Sequence, residues 1–325
     1  MSSQPTVEQL TPEDQPTFAP EVWRPVEFDA NGKPGQAHIY IGQTAMTGEA
    51  RPALLMGGFD ESKDSIAAAV HKAREVPLVG VHVGFGDTSL RGINGMLHNF
   101  LPAVTVAAKS QIGWDGQVDS IACSAAGPLV LEAYDHVFGS VEDASDMPLS
   151  KFVARGILGD LALVNSAGWN NADLAKPVPD DRQKETRKRI FGLFKRIRDN
   201  NNGLLRPVNE QAEEVVGLSS TYIRNVITYI FDRNMATMTR RLVQRRQVAI
   251  GVSPDDSVFR EAEVKKTLKL NGLEHLAFAL GGGHVFVDSD EGVKQIEAAY
   301  AELERRRSSD FDDIDIGQVI ELPVK

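Results

Sequence analysis

The chain has 325 residues, 42% of them hydrophobic and 25% charged, a balance that excludes disordered and fibrous classes and suits one large α/β domain with an insertion. Its formal net charge of −10 opposes wholesale binding to nucleic acid or to anionic membranes. Cys123 is the only cysteine, so an intrachain disulfide and a cysteine metal cluster are excluded and a reducing compartment is expected.

The opening residues, rich in Pro, Thr, Glu and Gln, predict an arm over 1–25 rather than core, without the basic start and apolar run of a secretory signal. No run of about 18 apolar residues follows, so a cytoplasmic chain with no stable membrane insertion is expected. The stretch PVEFDANGKPGQAHIYIGQT places two β-like runs around an Asn-Gly turn and predicts an antiparallel hairpin. PALLMGG and VPLVGVHVGFG are continuous apolar runs ending in glycine, as expected of strands covered on both faces. Between them SKDSIAAAVHKAREV reads as a helix, with Ser62 or Asp64 able to cap it.

The same alternation continues. INGMLHNFLPAVTVAAKS reads as helix, VDSIAC as a strand running into a helix, and LALVNSAG, QVAIGVS and EHLAFALGGG as further strands. DEGVKQIEAAYAELERRR closes the pattern as an amphipathic helix. Strands alternating with helices imply a mostly parallel sheet wrapped on both sides, formed by 26–168 and 247–307. Residues 169–246 interrupt it with helical spacing only and predict an inserted helical cap, above the carboxyl ends of the strands where open α/β sheets bind ligands. Residues 308–325 form an acidic tail.

The candidate chemistry sits at strand ends. Ala122-Cys123-Ser124-Ala125-Ala126 has the small-x-nucleophile-x-small pattern of a tight strand-to-helix turn, and Pro128 belongs in the first turn of the helix that follows. Taken alone, the pattern fits a buried structural serine equally well. His284 follows three glycines after the last strand, where an imidazole can reach a serine several strands away as general base; a capping histidine is the plain alternative. Asp255 and Asp256 lie in the loop after QVAIGVS, one to orient the imidazole and the other to cap the next helix. Asp256 is preferred because one residue separates it from the apolar pair Val258 and Phe259, which would pack the loop down. For a developing oxyanion, Ala125 offers a backbone N–H at the helix start, and Gly58 a second if the Gly57-Gly58 pair curls over the serine.

In these segments the chain resembles the α/β-hydrolase superfamily from about residue 26 to 307. The carriers are LLMGGFD for the oxyanion loop, HVGFGDTS for the turn after the next strand, ACSAAG for the elbow, LVNSAG before the lid, SPDDSVF for the acid and GGGHVF for the histidine. The resemblance implies an eight-stranded, mostly parallel sheet with a cap, and a Ser124, Asp256, His284 triad in that chain order. Met56 stands where many relatives carry histidine, and alanines replace the usual elbow glycines at 122 and 126. Backbone N–H groups and small volume are what the chemistry needs there. Cys123 would point into the sheet as a core thiol.

The expected activity is that of a serine hydrolase acting on a carboxylic ester, lactone or thioester, through an acyl-enzyme and with no metal or organic cofactor. The alternatives are an acyltransferase or lyase on the same fold, and a non-catalytic binding protein; an intact Ser124, His284 and Asp256 argues against the last. Trp169, Phe191, Phe194, Met235 and Met238 could line an apolar acyl pocket, although such residues at helical spacing equally make ordinary lid core. The basic amphipathic segment 182–206 reads first as a solvated helix face, and second as an attractor of an anionic substrate or surface. The partners expected are a small ester-like molecule and, as an open possibility, further copies of the chain, with no nucleic acid.

Overall fold

In the computed structural model, residues 22–29, 32, 34–58, 61–83, 90–139, 149–169 and 234–309 are described. The predicted hairpin is β1 (Arg24–Asp29) and β2 (Pro34–Ile41), paired antiparallel. β1 therefore takes in two residues assigned from sequence to the arm, Arg24 and Pro25, while Trp23 packs on Tyr40 with ring centroids 5.5 Å apart. The parallel strands are β3 (Ala53–Met56), β4 (Leu78–Val83), β5 (Val118–Cys123), β6 (Leu158–Val164), β7 (Val248–Val252) and β8 (Ala277–Ala279). They form one eight-stranded sheet in the order β1-β2-β4-β3-β5-β6-β7-β8, antiparallel only at the β1–β2 and β2–β4 pairings.

The pleat explains why the parallel strands are largely apolar. Alternate residues point to opposite faces, and both faces are covered. Leu54, Met56 and Ala122 join one core with Leu101, Val104, Val130, Leu131 and Tyr134, whereas Ala53, Leu55, Ile121 and Cys123 join the other with Ile66, Val70, Ile296 and Leu303. The first core is thus filled by α2 (Leu90–Ile112) and α3 (Ala126–Phe138), and the second by α1 (Lys63–Lys72) and the closing helix. Ser62 is the cap of α1, its side chain accepting from the Ser65 N–H, while Asp64 lies in the first turn.

A helix absent from the sequence reading, α4 (Leu149–Ile157), leads directly into β6. Its nine residues are too few for periodicity to separate it from the strand it adjoins. The helix after the acid loop is α6 (Glu261–Leu270), and the closing helix is α7 (Asp290–Ser308). Of the expected cap, only Trp169 and 234–246 are described, including α5 (Met235–Leu242), which packs on α3; the remainder, with Phe191, Phe194 and the basic segment 182–206, lies outside the described residues. So do 84–89 of the HVGFGDTS turn and 310–325 of the tail. Among the described residues no helix is long and apolar enough to cross a membrane.

Candidate active site

Ser124 follows the last residue of β5 and precedes α3 by one residue. Its φ is +50°, a left-handed conformation that costs a non-glycine residue on the order of 1 kcal/mol or more and has to be held by its surroundings. They hold it through the backbone. The Ser124 N–H donates to Val164 O at 3.0 Å, and its carbonyl accepts from Gly127 N–H (3.2 Å) and Ala167 N–H (3.0 Å). A side chain at Gly127 would drive a Cβ to 1.8 Å from Ser166 Oγ, so the small residue here lets α3 begin against the β6 loop. Pro128 falls in the first turn of α3, as its missing N–H allows.

The turn aims Ser124 Oγ at His284, whose Nε2 is 3.0 Å away; on the other side of the ring, His284 Nδ1 lies 2.9 Å from Asp256 Oδ2. The His284 side chain is 7% exposed and that of Asp256 is fully buried. Asp256 is fixed before it meets the imidazole. Its Oδ1 accepts the N–H groups of Val258 (2.7 Å) and Phe259 (2.9 Å), leaving Oδ2 for the ring. Asp255, by contrast, is exposed. The rings of Phe259 and Phe286 meet the imidazole edge to face at centroid distances of 5.4 and 5.9 Å, restricting its rotation.

The oxyanion pair named from sequence also converges on the serine. A Cβ built on Gly58 would lie 3.0 Å from Ser124 Cβ and 3.4 Å from Ser124 Oγ, so the bare main chain of the β3 loop sits against the hydroxyl. Ala125 is the N-cap residue of α3, with no side-chain cap and no acidic residue in the first turn. α1 and α7 differ: Ser62 and Ser289 each accept one first-turn N–H, from Ser65 and Gly292. At the start of α3 the Gly127 N–H is taken by the Ser124 carbonyl and Pro128 has none, but no side-chain cap competes for the Ala125 N–H, and the helix presents its partial positive end beside Ser124.

Trp169, Met235 and Met238 are all buried in the larger core, 1%, 2% and 6% exposed. Met235 lies against Gly168, which in turn is next to Pro128, so α5 is seated over the first turn of α3. Cys123 is fully buried on the opposite face, where burial pushes its thiol strongly up and away from reactivity. Among the described residues, no group of three or more His, Cys, Asp or Glu side chains is placed to hold a metal ion. The sequence reading gives no place to Asn165, Ser253 and Gln295, which meet behind the histidine loop. The one available signal was the pair of polar residues, Asn165 and Ser253, that each follow a wholly buried strand.

No protein-family model and no curated protein matches the chain. Solved structures do. An N-formylmaleamic acid deformylase from Pseudomonas putida S16 superposes with a TM-score of 0.53 at 14% identity, covering 85% of this chain and all of the deformylase. A bromoperoxidase from Bacillus anthracis gives a TM-score of 0.50 at 10% identity, covering 87% of this chain and all of the bromoperoxidase. With the strand order above, these likenesses establish the α/β-hydrolase fold.

Proposed function

We propose that the protein is a serine hydrolase that cleaves a carboxylic ester, lactone or thioester through an acyl-enzyme on Ser124. The observation that carries this reading is the continuous chain from Ser124 Oγ to His284 Nε2 at 3.0 Å and from His284 Nδ1 to Asp256 Oδ2 at 2.9 Å, set on a strained turn.

In the reaction, Ser124 Oγ attacks the acyl carbonyl while His284 Nε2 takes its proton. Asp256 holds the Nδ1–H tautomer and stabilises the imidazolium that forms. Negative charge developing on the carbonyl oxygen is met by the backbone N–H groups of Ala125 and Gly58. The imidazolium then protonates the leaving alcohol or thiol. Water, deprotonated by the same imidazole, attacks the acyl-enzyme; collapse of the second tetrahedral intermediate returns the proton to Ser124 and releases the acid. The acyl side is assigned to the α5 side of the serine turn, where Trp169, Met235 and Met238 lie 1%, 2% and 6% exposed. Support comes from α5 being seated over the first turn of α3, with Met235 against Gly168 and Gly168 next to Pro128.

The test is intact-mass spectrometry after rapid mixing with p-nitrophenyl acetate. An added acetyl group on the Ser124 peptide, with a burst of p-nitrophenol, is expected. Steady release of p-nitrophenol with no dependence on Ser124 would contradict the reading.

A further inference from the structure

His284 is carried on a loop of three glycines, Gly281 to Gly283, whose conformational freedom would by itself spread the imidazole over many positions. The loop is nevertheless tied down at the residue before the histidine. Gly283 O accepts from Asn165 Nδ2 at 3.1 Å and from Gln295 Nε2 at 3.1 Å, which fills both of its lone-pair directions. Gln295 Nε2 also donates to Gly281 O at 2.7 Å and lies 3.2 Å from Ser253 Oγ. Asn165 closes the network: its Nδ2 donates to Ser253 Oγ at 2.9 Å, and its Oδ1 accepts the Ser253 N–H at 3.0 Å. On the outside of the loop, the Gly283 N–H donates to Glu291 Oε1 at 2.5 Å.

Three features mark this cluster as more than core filling. Asn165, Ser253 and Gln295 are 4%, 0% and 2% exposed, and buried amides are costly compared with apolar side chains of the same size. Gln295 turns both N–H groups toward oxygens while its own Oε1, among the described residues, has no hydrogen-bond partner; the reversed amide would set that oxygen against the loop carbonyls. Asn165 itself takes a left-handed φ of +44° at the end of β6, a conformation that asparagine tolerates better than most side chains. Asn165 and Ser253 directly follow β6 and β7 and Gln295 lies in α7, so each anchor of the loop is held by a rigid element.

We infer that Asn165, Ser253 and Gln295, with Glu291 outside, are positioning residues that hold the Gly281–Gly283 loop so that His284 spans Ser124 and Asp256. This rests on the serine-hydrolase reading above. None of the four needs to touch substrate. Their effect is to restrict the imidazole to the productive geometry, in which misplacement by about 1 Å can cost on the order of a hundredfold in rate. Releasing the loop should therefore slow proton transfer without weakening substrate binding.

The experiment follows inactivation by an alkyl fluorophosphonate, in which the Ser124 Oγ–P bond forms, the P–F bond breaks, fluoride leaves and His284 takes the serine proton. Saturation kinetics separate kinact, which reads nucleophile activation, from KI, which reads binding. For Gln295→Met, which keeps the volume and removes the donors, kinact should fall about tenfold with KI within about twofold. For Glu291→Ala a fall of about threefold in kinact is expected, restored by Glu291→Gln, whose amide oxygen can accept the same N–H. A wild-type kinact in folded Gln295→Met overturns the proposal. If Gln295→Met does not fold, the Glu291 pair decides: a loss in Ala recovered in Gln supports the clamp, and an unchanged Ala variant overturns it. A wild type that is never labelled overturns the hydrolase reading and the clamp together, whereas a labelled wild type beside unaffected variants overturns the clamp alone.

Discussion

The two ends of the parallel sheet both bury polar side chains, but of different kinds. At the amino end, Asp119 of β5 and Asp160 of β6 meet Arg51 and Arg307 in a cluster of ion pairs, with Arg51 Nε to Asp119 Oδ1 at 3.0 Å and Arg307 Nη2 to Asp119 Oδ2 at 2.5 Å. At the carboxyl end the buried polar groups among the described residues are neutral amides and hydroxyls, with Asp256 the one carboxylate, held toward His284. The charged cluster joins the β3 approach, two strands and the end of α7, and Asp119 Oδ1 also accepts the Asp160 N–H at 2.8 Å. Such a cluster fastens the chain and has nothing to react with. The other end pairs strained backbone at Ser124 and Asn165 with groups able to move a proton, which is where a function can reside.

That contrast can be broken or sharpened by substitution. The largest effect is expected for Asp256→Asn, which keeps the shape of the side chain but lets the His284 tautomer invert. The fluorophosphonate labelling rate should fall by about a thousandfold or more while the melting transition stays cooperative. Next is Asp119→Asn at the other end. Removing one member of a buried charge cluster leaves guanidinium charge uncompensated and should cost about 3 kcal/mol in urea unfolding, with the labelling rate per folded molecule unchanged. A loss of labelling there would mean that the two ends are coupled.

A third polar site, on the antiparallel side of the sheet, provides a pH test. His82 of β4 faces His38 of β2 across the ladder, beside Trp23 and Lys63, and burial together with the Lys63 and His38 charges pulls its pKa down to about 4. The unfolded chain gains a proton near the ordinary histidine value of about 6.5, whereas the folded chain resists until about 4. Stability is therefore expected to fall as the pH drops through that window, by about 2 kcal/mol, and His82→Gln should flatten that part of a urea-midpoint profile. The smallest effect is predicted for Asp255→Asn: its exposed carboxylate lies one residue from the triad acid, and labelling should remain within about twofold of wild type.

Much of this was legible in the chain itself. Continuous apolar runs ending in glycine mark strands covered on both faces, and Pro128 fixes where α3 can begin. Ser124 directly follows β5, and the Asp255-Asp256 pair and His284 lie in the loops that follow β7 and β8, so locating those strands by periodicity brings all of them to one end of the sheet. The Asn165, Ser253 and Gln295 cluster was not readable: two polar residues after buried strands hint at it, but three side chains 88 and 42 residues apart are joined only by hydrogen bonding in space. α4 escaped for a different reason: its roughly two and a half amphipathic turns are shorter than the window that periodicity needs. The sequence also left open which of two adjacent aspartates faces the histidine, because neighbouring residues differ in direction rather than in composition. Packing of Val258 and Phe259 decides it, by drawing their N–H groups onto Asp256 Oδ1.

The most direct test of the central claim is fluorophosphonate labelling followed by peptide mapping of the wild type, Ser124→Ala and His284→Ala. The expected result is a single modified peptide carrying Ser124, absent in the alanine variant and slowed by orders of magnitude without His284. A folded wild type that takes no label, or takes it on another residue, would contradict the assignment of Ser124 as the nucleophile.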